Sequence, residues 1–221
     1  MNKNKLNKPK FELEERAYKF DVRSEKRENG SSRLSGSPIV YDSRTDIGGM
    51  FEEVIERGAL DGANLKDVPL LVNHNERMIP VARSRNNNAN STMRLMVTPD
   101  GLEFYADIDT ERNMTARELD SAVERGDLDG MSFKFSVDEE RWDNLESDYP
   151  TRHILRLGTI AEISACTWPA YEDTSIYARS KEALDNARSA LDSARQRNAE
   201  SPDGDINELL LLKEKTRTLT M

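Results

Sequence analysis

The stretch Gly130-Met131-Ser132-Phe133-Lys134-Phe135-Ser136-Val137 decides how this chain reads. Met131, Phe133, Phe135 and Val137 alternate with Ser132, Lys134 and Ser136, the period-two pattern of a strand with one face on a core. The apolar set faces inward, so Ser132 faces the other way. Asp129-Gly130 supplies a tight turn just before it. A hydroxyl held on a rigid strand after a glycine is a place where a nucleophile can be kept still and reached. The same pattern also describes a plain serine on a solvated strand face.

Working outward, the preceding segment reads as a helix. Thr115 with Glu118 three residues on forms a capping box. Ala116, Leu119, Ala122 and Val123 make one face, and Gly126 ends it. Beyond the Ser132 strand, residues 138–150 read as a polar hairpin-like excursion around Trp142. Residues 153–157 and 159–167 read as two strands separated by Gly158. Toward the N-terminus, 92–97 and 102–108 form a strand–turn–strand unit about Thr98-Pro99-Asp100-Gly101. Residues 67–74 read as a buried strand with His74 at its exit. Phe51, Val54 and Ile55 give a short helical face closed by Gly58. Residues 35–41 and 17–23 read as strands.

The chain has 221 residues, 36% hydrophobic and 33% charged, so one thin-cored domain with tails is expected. Its net charge of −9 argues against nucleic-acid binding, which needs a basic excess along the phosphates. No apolar run approaches the roughly 20 residues of a membrane span, and the N-terminus lacks the apolar core of a signal peptide. A single cysteine, Cys166, cannot form an internal disulfide and fits a reducing compartment. There is no zinc-type cluster, and no metal or cofactor is expected. Residues 181–197 are helical, with Leu184, Ala187, Leu191 and Ala194 in a narrow heptad-like stripe that suggests a peripheral or partner-contacting helix. A linker at 201–205 and a leucine run at 209–212 follow. The fold class expected is mainly β with flanking helices (α+β), of about seven or eight strands, with a C-terminal helical tail.

A serine hydroxyl needs a base, usually histidine, and the base needs a third group to fix its tautomer. Only two histidines exist, so the base for Ser132 is His74, His153 or absent. Glu162 sits inside the otherwise small and apolar run Ile160-Ala161-Glu162-Ile163-Ser164-Ala165-Cys166. A carboxylate there must be paired, either with an arginine or with a histidine ring.

Three blocks occur in order: Leu71-Val72-Asn73-His74-Asn75, then Arg125-Gly126-Asp127-Leu128-Asp129-Gly130-Met131-Ser132-Phe133-Lys134-Phe135, then Ala161-Glu162-Ile163-Ser164-Ala165-Cys166-Thr167-Trp168-Pro169-Ala170-Tyr171. They resemble the signature blocks of the tailed-bacteriophage prohead proteases, serine peptidases that mature procapsids. Gly48-Gly49-Met50-Phe51 and Gly58-Ala59-Leu60 resemble that family's early glycine-rich block. The family is similar in fold to the herpesvirus capsid-maturation proteases, so the resemblance implies a closed or partly closed antiparallel β-barrel.

It also implies His74 as base and Ser132 as nucleophile. Glu162 stands where the family's signature strand carries its acidic residue. The herpesvirus enzymes use a second histidine, which leaves His153 as the fallback third member. Asn75, the run Pro80-Val81-Ala82-Arg83 and Lys134 depart from the family pattern. The implied substrates are the major capsid protein's extension, the scaffold and the chain itself, inside the procapsid in the host cytoplasm. The expected organisation is a flexible segment 1–16, a protease domain 17–179 and a tail 180–221. A homo-oligomer, with a dimer as one form, is expected, and neither nucleic acid nor membrane as partner. The alternative is a non-catalytic scaffold or assembly protein of the procapsid.

Overall fold

The computed structural model describes residues 13–19, 22–27, 31–167 and 181–200. The two longest strands organise it. β10 (Gly130–Asp143) and β11 (Thr151–Cys166) pair antiparallel, with Ser132 opposite Ser164 and Lys134 opposite Glu162. β10 is flanked on its other side by β1 (Glu14–Lys19), again antiparallel, with Ala17 opposite Ser132. β11 has two parallel partners in turn. β5 (Phe51–Ile55) lies along its start, and β6 (Val68–Val72) along its end. β4 (Arg44–Ile47) and β7 (Ala82–Ser84) extend this seven-stranded sheet beyond β5 and β6. A second sheet runs β2 (Arg23–Lys26), β3 (Ser32–Val40), β9 (Gly101–Ile108) and β8 (Met93–Thr98). The main core lies between them and includes Phe133, Phe135, Ile160 and Ile163 from one sheet and Leu34, Leu102 and Phe104 from the other.

Among the described residues the fold is mainly β with two helices, as the sequence implies, but neither sheet closes into a barrel. The expectation of a closed or partly closed barrel is corrected. β4 and β1 end the main path of one sheet, and β2 and β8 end the other. Closure would need those edges to pair.

Several elements differ from the sequence reading for identifiable reasons. The segment read as a helical face is β5. Its alternation is broken because Glu53, like its apolar neighbours, is buried, held in an ion-pair network. Residues 151–166 form one strand rather than two. Gly158 does not break it: an added Cβ there would lie 2.3 Å from Asp138 Oδ1 and 2.7 Å from Ser136 Oγ. The glycine is a place of close approach, and its carbonyl accepts from Asn64 N–H. β10 likewise runs on to Asp143, taking in most of what reads as an excursion.

α1 (Met114–Glu124) is capped by Asn113, whose side chain accepts from Ala116 N–H, rather than by Thr115. Gly126 follows its C-cap at φ +73°, as its sequence position suggests. α2 (Lys181–Glu200) lies at the periphery, outside the main core, one of the two roles its stripe suggests. Ala187 and Leu191 pack against Ile47 and Phe51, with Trp142 beside them. The closing segment Trp168-Pro169-Ala170-Tyr171, the linker 201–205 and the leucine run lie outside the described residues. Among the described residues no helix is long and apolar enough to cross a membrane.

Candidate active site

His74 reaches the sheet because β6 runs parallel to β11 and ends beside Ala165. Asn73 N–H donates to the Ala165 carbonyl, and the Asn73 side chain is bonded to Thr167. Asn73 and His74 then adopt φ of +51° and +56°. Two successive non-glycine residues in the left-handed region are costly, on the order of 1–3 kcal/mol each, and such strain gathers at functional sites. This turn folds the imidazole back over β11, where its Nδ1 lies 2.5 Å from Glu162 Oε1.

Glu162 is almost wholly buried. A bulge sits beside it: from Lys134–Glu162 to Phe135–Ile160 the register advances one residue on β10 and two on β11. The second carboxylate oxygen accepts from Ser164 Oγ at 2.6 Å, and Ser164 Oγ accepts in turn from His74 N–H at 3.2 Å. Ser164 therefore ties the carboxylate and the histidine backbone together. The sequence reading passed over it. Its signal was the two-residue spacing from Glu162, which puts both side chains on one strand face.

Burial disfavours the imidazolium, but the contacts with Cys166 and Glu162 outweigh it and raise the His74 pKa to about 10. Glu162 is the stronger cause on physical grounds, since Cys166 Sγ is 3.9 Å from Nε2 and a thiol bonds weakly. Glu15 Oε1 also faces Nε2, at 3.3 Å. Lys134 reaches Glu76 at 2.6 Å. Burial opposes its charge, the ion pair prevails, and its pKa is raised. A cleft of about 770 Å³ opens here between the histidine turn and α1, lined by His74, Glu76, Met78, Thr115, Glu118 and Lys134.

Ser132 occupies the strand position opposite Ser164, on the face that carries Glu162 and Lys134. It points out of the apolar core, as the alternation implies, yet it is 0% exposed. Its hydroxyl donates to the Arg16 carbonyl of β1 at 2.8 Å rather than to His74. His153 is not brought to this site. Its Nδ1 lies 2.6 Å from Glu56 and its Nε2 3.2 Å from Asp143, near the start of β11 beside β5. Among the described residues no group of three or more side chains forms a metal cluster.

A histidine fixed by a buried carboxylate, beside a strand face that also carries a serine, supplies the residue types that serine hydrolases use, although the serine hydroxyl here bonds the Arg16 carbonyl. A family model described as caudovirus prohead serine protease matches residues 18–188. The chain belongs to that family and is a serine protease of the kind that serves capsid maturation. No curated protein and no solved structure matches it.

Proposed function

We propose that the chain is a procapsid-maturation endopeptidase in which Ser132 is the nucleophile, His74 the base and Glu162 the third member. Ser164 is a positioning residue for both His74 and Glu162. The observation that carries this reading is the 2.5 Å contact of His74 Nδ1 with Glu162, on the face that Ser132 shares. Only the neutral ring can act as base, and with the His74 pKa raised to about 10 that form is the minor one at neutral pH; in it Nδ1–H is donated to Glu162 and Nε2 takes the Ser132 proton. Ser132 Oγ then bonds the substrate carbonyl carbon, and the imidazolium returns the proton to the departing amine. Water, deprotonated by the same ring, releases the acyl group. The substrates are the extension of the major capsid protein, the scaffold and the chain itself, which is what the family implies.

A second reading has its own observation. Cys166 Sγ lies within sulfur hydrogen-bonding reach of Nε2, which would make Cys166 the nucleophile. The family description favours serine. Co-expression with the major capsid protein and scaffold, followed by intact mass, distinguishes the two. Cys166→Ala retains trimming and Ser132→Ala abolishes it if Ser132 is the nucleophile, and the reverse pattern supports cysteine. If wild type trims nothing while capsids assemble, the non-catalytic assembly role takes over.

A further inference from the structure

β1 bears on the two groups that the proposed mechanism needs. The Ser132 hydroxyl is spent on the Arg16 carbonyl at 2.8 Å, and Glu15 stands 3.3 Å from His74 Nε2, the nitrogen that should receive the serine proton. Ser132 is fully buried beneath this arrangement, so no substrate carbonyl can reach it. Resting on the reading of Ser132 and His74 given above, we propose that β1 is an intramolecular latch that holds the protease inactive, and that it must leave the edge of β10 before an extended peptide can approach Ser132.

The way β1 is held suits a strand that can be withdrawn. Among the described residues it is an edge strand whose partner in the sheet is β10, with one further bond beside it from Asn186 of α2 to the Leu13 carbonyl. Its anchors are Glu14 and Arg16, buried side chains that enter a network with Glu53, Arg152 and Glu140. Arg16 grips Glu53 with two bonds, at 2.6 and 2.7 Å, and Arg152 grips Glu14 with two, at 2.6 and 2.8 Å. Removing one member of such a network strands a buried charge. Removing β1 does not, because Glu14 and Arg16 leave together as one negative and one positive charge. Arg152 keeps Glu53 at 3.0 Å and Glu140 at 2.7 Å. The latch is thus strongly seated, yet its departure does not change the net charge of the network left behind.

The bonds that β1 makes to the site also precede the family match. Glu15 and Arg16 lie before residue 18, where it begins. β1 therefore straddles the start of the matched segment, with Tyr18 and Lys19 inside it. The vacated β10 edge exposes a row of backbone donors and acceptors, which an extended peptide can satisfy by adding as a strand.

The test is the rate at which a serine-directed fluorophosphonate labels Ser132 in the full chain, with the adduct located by peptide mass. The double variant Glu14→Ala/Arg16→Ala removes the neutral anchoring pair and touches neither Ser132 nor His74. Labelling is expected to rise at least about tenfold, the response to ~1.4 kcal/mol of weakened docking. A double variant that unfolds as cooperatively as wild type yet labels at the wild-type rate overturns the latch.

If that variant does not fold, wild type in sub-denaturing urea decides. Labelling that rises together with amide exchange in β1, before the global transition, supports the latch. Labelling that follows only global unfolding overturns it. An adduct that never forms on Ser132 in any folded chain removes the nucleophile assignment and the latch with it. Rapid labelling of Ser132 in untreated wild type removes the latch alone.

Discussion

Replacing Glu162 by glutamine keeps the shape of the side chain and removes its charge, and the effect on His74 can be worked out beforehand. The His74 pKa is raised to about 10. An opposite charge beside a titrating group moves its pKa by about 1–3 units, and a 2.5 Å contact with a carboxylate side chain only 3% exposed belongs at the upper end. Glu162→Gln should therefore lower the His74 pKa by about 2–3 units, or ~3–4 kcal/mol of differential interaction.

Proton NMR reads this directly, because the chain has only two histidines and His153→Gln assigns the pair. The same shift predicts a pH-dependent stability. A raised histidine pKa stabilises the fold fully below its ordinary value near 6.5, and that contribution is lost as pH rises through about 10. The gap in urea stability between wild type and Glu162→Gln should thus be widest near pH 6 and should close toward pH 10. A His74 that titrates near 6.5 in wild type, or one indifferent to Glu162→Gln, refutes the reasoning.

Three further outcomes are expected. Arg152→Ala leaves Glu14 and Glu140 short of a buried cationic partner and should cost about 3–5 kcal/mol in urea unfolding. Gly101→Ala should destabilise by about 1–3 kcal/mol or more, read as a lower urea midpoint, since φ there is +146° and an added Cβ would lie 2.0 Å from the Ile39 carbonyl oxygen. Ser164→Ala should lower kcat on capsid protein by about tenfold with little change in KM, the signature of lost positioning rather than lost binding. Threonine, which restores a hydroxyl, should recover part of that loss, whereas a wholly structural role would show as equal destabilisation without the split.

The parts of the fold written in local pattern were legible. Alternation at residues 130–137 marks the inner half of β10, and Thr98-Pro99-Asp100-Gly101 marks the β8–β9 hairpin. A lone carboxylate in an apolar run marks Glu162 as paired, and of the two partners weighed, the structure puts it on the histidine ring and not on an arginine. What was not legible depends on distant partners. The segment 51–55 carries a helix-like apolar spacing because Glu53 is turned inward, and what compensates it is Arg16 and Arg152, 37 and 99 residues away. The same distance hides the burial of Ser132. Nothing in the sequence around Ser132 says that residues 14–19 will cover that edge of β10. The α2 stripe looks like an interface because it is narrow and small, and it is one, but with Ile47 and Phe51 of the same chain.

The most direct test of the central claim follows cleavage and covalent modification in the same samples. Chain co-expressed with the major capsid protein is treated in parallel with a fluorophosphonate and with iodoacetamide, and each adduct is mapped by peptide mass as trimming stops. The account predicts that the adduct which stops cleavage lies on Ser132. Cleavage that stops with the adduct on Cys166 and Ser132 unmodified would contradict it.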